Sequence, residues 1–447
     1  MAKSLFESYK NRLAVANTVY SRAHNGENMS NHKKLVTAKN LENINRFMNE
    51  AFDNSVGTQR ADMDMFKKFA LNLTTVAMPN LVAHDLVIVH PMSSMSGFIT
   101  YIEYKFASNK GGVTKEDLIA NPFQLGQMTD ERVNFTAARV VETAKGTEFT
   151  PAWGPVVKDE AGKQFVEVEG EGGVWTPVEL VDGKATVTDG ARVRYVYNNV
   201  VIPQNDLPMI RAEMKAISLV AKARRIAIYY SQIAAYQAKT DYGVDLGDQL
   251  AEKAVGELSY EIDTEIIDLL SNMASKNDKV GALLDDGTGA KYLEELEWSK
   301  TLPVGVSKAE HYDGFAEIVE IAKQKIYDAT QKFAPNYMII ASDVLPVLAL
   351  CKTFKAAPTG AVNGPYVAGT FGSLKVVVSP RLKNGRYVIG CNGSDMMSSA
   401  AVYAPYMAVV PTQLLGYADG GMSQGWSTLY DLKELNPLLV VAGRVTK

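Results

Sequence analysis

The sequence predicts an α+β fold, and three observations carry that expectation. Between residues 143 and 200, short β-type runs alternate with turn signals. Residues 245–274 repeat apolar side chains at helical spacing. From about residue 308 onward, helix-like and strand-like segments follow one another in mixed order.

Taken in order, residues 1–50 read as helical and polar, with apolar residues at irregular helical spacing (Leu5, Phe6, Leu13, Val15, then Leu41, Ile44 and Phe47). "AFDNSVGTQRADMDM" (51–65) reads as a flexible link. Apolar density rises from Phe66, and "LVAHDLVIVHPM" (81–92) reads as a buried strand closed by Pro91. "GFITYIEYKF" (97–106) is a second strand, rich in aromatic and β-branched residues. Residues 106–142 are loop-like. In 143–200 the runs "QFVEVE", "VWTPVEL", "KATV" and "RVRYVYNN" are separated by turns at Asp159 to Gly162, Gly170 to Gly173, Asp182-Gly183 and Asp189-Gly190. The expectation there is an all-β module.

Residues 209–226 partly alternate. Ile210, Ala212, Met214 and Ala216 face one way and Arg211, Glu213 and Lys215 the other, which suits one long strand with a wet polar face. "YYSQIAAYQAKTDYG" (229–243) predicts a short helix ending near Gly243. A long helix follows over 245–274, with Asp245 as N-cap and Leu246, Leu250, Ala254, Leu258, Ile262, Ile266 and Leu270 on one face. At 1.5 Å per residue it spans roughly 40 Å. Its other face is acidic: Asp248, Glu252, Glu257, Glu261, Asp263, Glu265 and Asp268 against Lys253. A helix over 308–333, a strand at 337–341, a helix after Ser342, strands "LKVVVS" and "RYVIG" around Asn384-Gly385, and a last extended stretch "AVYAPYMAVVPTQL" complete the chain.

Composition narrows the function. The 447 residues exceed one average domain, and 47% hydrophobic residues can bury a large core. A formal net charge of −4 does not suit a cationic nucleic-acid binder. The charge is uneven: residues 1–70 hold 11 Lys and Arg against 7 Asp and Glu, a surplus that a solvated helical surface accounts for. Cys351 and Cys391 form no CxxC, which supports neither a disulfide scaffold nor a zinc module and suits core filling in a reducing cytoplasm. The N-terminus lacks the apolar region of a signal peptide, and no apolar run is long enough to span a membrane.

Candidate chemistry fails on geometry. In a strand, His84 and His90 share a face but lie roughly 20 Å apart, whereas zinc ligands sit about 2.1 Å from the metal. In a helix they fall on different faces. A buried or interface histidine is the favoured reading. "GMSQG" (421–425) matches G-x-S-x-G, but the last histidine, His311, precedes the serine and the residues after it read as a strand, so the nucleophile elbow is not met. "LLDDGTGAKY" (283–292) and "EGEGG" (169–173) lack the fixed positions of a P-loop, an EF-hand or a dinucleotide fingerprint and read as turns. Glu261 and Glu265 lie one helical turn apart without a Glu-x-x-His partner. No catalytic, cofactor-binding or metal residues are expected. Much extended structure, one long acidic rod and no ligand site suit a protein that works by contact with other copies.

Several stretches then resemble the major capsid protein of T-even-like tailed bacteriophages. "AMPNLVAHDLVIVHPMSSMSGFITYIEY" (77–104) is similar to that family's entry into its extended loop, through Pro79, Asn80, Leu81, Pro91, Met92 and Gly97. Residues 229–270 resemble its short helix, glycine break at Gly243 and long spine helix. Residues 336–349 resemble a strand-to-helix step, and 365–414 carry its signature Tyr403-Ala404-Pro405-Tyr406. The matches occur in the family's order from about residue 40 onward.

The resemblance implies a Hong Kong 97-like phage capsid fold. Its parts would be a helical N-terminal segment (1–50), an N-arm with the first peripheral strand (51–97), and an extended loop (98–208) with a β-rich insertion (143–200). A peripheral domain with the spine helix (209–280), an axial domain (281–400) and return strands to the peripheral domain (401–447) would follow. It implies self-assembly into hexamers, in some members also pentamers, with neighbouring capsomers joined through the N-arm and extended loop. Scaffold, prohead protease, vertex, portal and decoration proteins are implied partners, and double-stranded DNA is enclosed without sequence specificity. The location implied is the virion capsid, assembled in the bacterial host cytoplasm, with no membrane. "RFMNEAF" (46–52) resembles the family's maturation site, which places cleavage between Glu50 and Ala51 and makes residues 1–50 a propeptide. The alternatives are the pentamer-forming vertex protein of the same fold, an encapsulin-like nanocompartment shell and, third, an enzyme.

Overall fold

The computed structural model describes residues 2–23, 27–53, 71, 75, 81–126, 128–153, 155–198, 208–243, 246–277, 283–285, 287, 289, 291–357, 364–393, 398–412 and 415–447. The chain divides into two units, Met1–Ile99 with Ser218–Lys447, and Thr100–Ile217. Helices and sheets are segregated in the α+β manner.

The first unit is built on a seven-stranded mixed sheet. Its order is Glu297–Ser299, Val440–Thr446, Arg386–Gly390, Tyr337–Ala341, Leu374–Ser379, Tyr366–Phe371 and Phe354–Ala356. The central strands Tyr337–Ala341 and Arg386–Gly390 are buried at every position, which explains why they read as unbroken apolar runs rather than as alternating ones. Phe315, Val319, Ala322 and Ile326 of the helix Phe315–Thr330 pack into the same core. Gly314 separates that helix from Lys308–Asp313, where one continuous helix was expected. The strands around Asn384-Gly385 are not partners of each other, because Tyr337–Ala341 lies between them.

A five-stranded sheet orders Ile88–Val89, Ala401–Pro411, Gly421–Glu434 and Lys222–Ser231, with Leu415–Gly416 beside Gly421–Glu434. The spine helix Leu246–Ser275 serves both sheets. Ala251, Ala254, Val255 and Leu258 meet Val409 and Trp426 of the five-stranded sheet. Ile262, Ile266, Leu270 and Met273 join the core of the seven-stranded one. The preceding helix Gln232–Tyr242 ends at Gly243, whose φ of +67° gives the left-handed cap that glycine adopts at no steric cost. Asp245 and Asp248 lie outside the described residues and side chains. The acidic face is only partly solvated: Glu252, Glu257 and Glu261 are exposed, but Asp263 is buried.

Asp263 explains the clearest local departure. Residues 81–92, expected as one buried strand, form the short helix Ala83–Leu86 and then the strand Ile88–Val89. The Asp263 carboxylate accepts the N–H groups of Val82 (3.3 Å) and Ala83 (3.1 Å), capping that helix start from another element. Residues 209–226 likewise divide. Ile210–Val220 joins a sheet with Ser96–Phe106, whereas Lys222–Ser231 pairs with Gly421–Glu434, and between them the Ala221 N–H donates to Met95 O (2.8 Å). The final strand also departs from expectation: Val440–Thr446 enters the seven-stranded sheet beside Arg386–Gly390 instead of returning to the five-stranded one. A 3₁₀ turn at Pro437–Leu439 redirects the chain between the two.

The second unit holds the far part of the Ser96–Phe106 and Ile210–Val220 pair and a small β module. Its four-stranded antiparallel sheet runs Arg139–Thr143, Arg192–Val196, Phe165–Glu169 and Trp175–Glu179. The module thus begins four residues before the expected start at 143. Val140, Phe149, Val166, Val193 and Tyr195 form its own core. Lys110 is buried in this unit and donates to the carbonyls of Asn134 (3.1 Å), Phe135 (2.6 Å) and Ala137 (2.6 Å). Burial pushes its ammonium down to about 8, while the three acceptors hold the proton on.

Candidate assembly site

The signature residues converge on one seam in the first unit. The chain after Val89 runs parallel to Ala401–Pro411, with His90 N–H donating to Tyr403 O and Met92 N–H to Pro405 O, both at 2.9 Å. Pro91 falls between these two donors, where a strand's amide points away from its neighbour, so its missing N–H is no loss. Opposite, Pro405 pairs with Tyr430 and Met407 with Leu429, which leaves Tyr406 as the extra residue of a bulge. The carbonyls of Met92 and Tyr406 are then both taken by Asn43 Nδ2, at 2.7 and 2.8 Å. Asn43 lies in the helix Asn31–Asp53 and is buried. Sequence reading missed it, though Asn40 and Asn43 among Leu41, Ile44 and Met48 put polar groups on an apolar stripe, which was the available signal.

The same helix holds the seam at further points. Leu41, Ile44 and Met48 pack on Met407 and Val410. His32 Nε2 bonds Val89 O (2.8 Å), Arg46 donates to Ser93 O (2.8 Å), and Lys33 faces Asp85 (3.5 Å), which also meets Lys375 (3.0 Å). His90 titrates below the ordinary histidine range because of burial and the neighbouring His32. His84 and His90 are thus on a short helix and on the seam, not on one strand face. Among the described residues no group of three His, Cys, Asp or Glu side chains is placed to hold a metal ion.

Other predicted positions lie elsewhere. Gly97 is the second residue of Ser96–Phe106, and a Cβ there would meet only Met92 Cε at 3.8 Å, so the backbone does not demand glycine. Gly243 is the left-handed cap of the helix Gln232–Tyr242. Pro79 and Asn80 lie outside the described residues. Glu50 and Ala51 fall inside the helix Asn31–Asp53, which therefore runs past the expected boundary at 50. Ser423 sits within a strand opposite Tyr229, so "GMSQG" forms no strand–turn–helix elbow.

Ser96–Phe106 and Ile210–Val220, paired as a long hairpin with Leu118–Ala120 on the other edge of Ser96–Phe106, carry Ile210–Val220 with its expected faces reversed. Glu103 meets Lys215 (2.7 Å) and Lys105 (3.8 Å), Lys105 meets Glu213 (3.1 Å), and Arg211 pairs with Glu116 and Glu213. This polar face is covered by its own ion pairs, and Glu103 is only 7% exposed. By strand alternation Ile102, Tyr104, Ile210 and Met214 occupy the opposite face, and they are the exposed ones, Met214 at 76%.

Comparison with known proteins decides the family of the chain. The model of the major capsid protein Gp23 matches residues 63–441. The chain belongs to the Gp23 major capsid protein family. Its place is therefore the virion capsid of a tailed phage. The spine helix and the two sheets described above make this family member an α+β protein. The major capsid protein of Enterobacteria phage T4 is 24% identical over 368 residues, covering 75% of this chain and 68% of that one. That of Vibrio phage KVP40 is 21% identical over 399 residues, covering 83% and 76%. Among solved structures, one from Microbacterium phage Oxtober96 aligns over 82% of this chain and 91% of its own at 10% identity and a TM-score of 0.37. The capsid of Myoviridae phage XM1 aligns over 54% and 79% at 10% identity and 0.35.

Proposed function

We propose that this capsid chain is the hexamer-forming shell subunit, structural rather than catalytic, and that its hairpin docks on a neighbouring copy. The observation carrying this reading is the apolar hairpin face of Ile102, Tyr104, Ile210 and Met214, exposed opposite a polar face cross-linked by ion pairs. A ribbon of this kind cannot bury its apolar side alone and needs a cover. Closed symmetry then multiplies many weak contacts. In this assignment 51–97 supplies the arm, 98–208 the extended loop, 209–280 and 401–434 the peripheral domain, and 281–400 with 440–446 the axial domain.

Electron microscopy of particles assembled from the chain with its scaffold tests the reading. Hexameric capsomers are expected; subunits confined to pentamers would assign it to the vertices instead. We further propose that head maturation cuts after Glu50. Intact mass of virion protein should show a chain beginning at Ala51, and one beginning at Met1 or Ala2 overturns the cut.

A further inference from the structure

The peptide bond between Glu50 and Ala51 lies inside the helix Asn31–Asp53. An endoprotease takes its substrate extended, so a bond held in helical hydrogen bonding must be unwound before it is cut. We propose that this helix is a latch whose seating on the seam withholds the Glu50–Ala51 bond from proteolysis. The proposal rests on the cleavage site proposed above and adds its regulation.

Three features of the seat make the inference specific. Asn43 satisfies the carbonyls of Met92 and Tyr406 at once, so lifting the helix strands two acceptors in a buried seam. Leu41, Ile44 and Met48, all nearly fully buried, anchor the half of the helix that leads into residue 50. Arg46 adds a bond to Ser93 O on the segment that leads into the hairpin. The latch thus reads the strand Ala401–Pro411 and the hairpin's root together: any shift of one against the other breaks the two-carbonyl clamp. The seat also carries a built-in cost. Asn40 Oδ1 is buried with no hydrogen-bond partner among the described residues, which makes release easier than the apolar contact alone implies. Local opening of this kind, not global unfolding, sets the rate at which a protected bond is cut.

The test is limited proteolysis of the full-length unassembled chain with a glutamate-specific endoprotease as probe, products read by mass. Glu160 and Glu171, both exposed in turns of the β module, serve as internal controls. In the wild type, cutting at Glu50 should lag the controls by on the order of tenfold or more. Asn43→Ala should raise the Glu50 rate about tenfold and leave the controls unchanged. Arg46→Ala, at an exposed position that cannot unfold the protein, should raise it severalfold. Equal rates at Glu50 and the controls in the wild type, or no acceleration in either variant, overturns the latch. A variant that accelerates every site together has lost its fold, and Arg46→Ala then decides. The probe is independent of any phage protease, so a virion chain starting at Met1 would sink the cleavage site and leave the protection measurement standing.

Discussion

The seven-stranded sheet and the hairpin present opposite solutions to one problem. Strands Tyr337–Ala341 and Arg386–Gly390 are buried on both faces, whereas Ser96–Phe106 and Ile210–Val220 cross-link one face with ion pairs around the buried Glu103 and expose apolar side chains on the other. The first region is complete within one chain. The second is stable on its charged side and unfinished on its apolar side. With docking on the apolar side, as proposed above, stability and assembly fall to different residues, and substitutions should separate them.

The largest effect belongs to the finished region. Phe315 is fully buried, edge-on to Tyr387 (5.4 Å) and Trp298 (5.5 Å). Phe315→Ala should cost about 3–5 kcal/mol by transfer loss plus cavity. Urea unfolding of the unassembled chain measures it; a cost under 1 kcal/mol would mean that this core is not the one holding the unit together.

Acidity separates the two regions by sign. Burial raises the Asp263 carboxyl to about 7, against the lowering pull of the Val82 and Ala83 amides. Its folded value lies above the unfolded one, so the stability it confers is full below about pH 4 and is lost as pH rises through 7. The swing is on the order of 4 kcal/mol at most, and Asp263→Asn should flatten it in melts taken from pH 4 to 8. Lys110 runs the other way. Its folded value is lowered, so stability it confers above the unfolded value near 10.5 is lost as pH falls through about 8. Lys110→Met would strand three carbonyls and should cost about 2–3 kcal/mol, seen as faster amide exchange in 139–197 while 337–341 and 386–390 stay protected. Loss of protection in both places would contradict the independence of the two regions.

Regular elements were legible wherever one pattern dominated. The helix of 245–274, the strands 337–341, 374–379 and 386–390, and the β module announce themselves by period and turn chemistry, and the structure contains them. What escaped was decided by partners distant in sequence. Residues 81–86 look like a strand because Leu, Val and Ala suit one; a carboxylate from the spine helix makes them a helix start. The Ile210–Val220 strand has a correct alternation, but its apolar side chains are the more exposed ones, because its charges pair with Glu103, Lys105 and Glu116 across the other face. The signature residues Pro91, Met92, Pro405 and Tyr406 were singled out by resemblance, but what joins them, Asn43, lies in a segment read as a solvated helix. A polar residue on an apolar stripe is a local signal; the bulge that gives it two carbonyls is not.

The smallest effect on stability should accompany the largest on assembly. Met214 is 76% exposed and, by strand alternation, lies on the face opposite the ion pairs. Met214→Lys keeps an aliphatic stem on the sheet, so the unassembled chain should melt within about 0.5 kcal/mol of the wild type. In an interface the same ammonium would be desolvated without a partner, which costs several times that figure at every copy of the contact. Because a shell repeats the contact around each capsomer, even a modest penalty per subunit multiplies into loss of particles. Scaffold-assisted assembly read by sedimentation should therefore fail for Met214→Lys at concentrations where the wild type forms shells. Lys215→Met, on the opposite face, should do the reverse: it breaks the bond to Glu103 and lowers the melt while shells still form. If both variants assemble equally well, the apolar hairpin face is not the docking surface, and the unfinished side of this region has another cover.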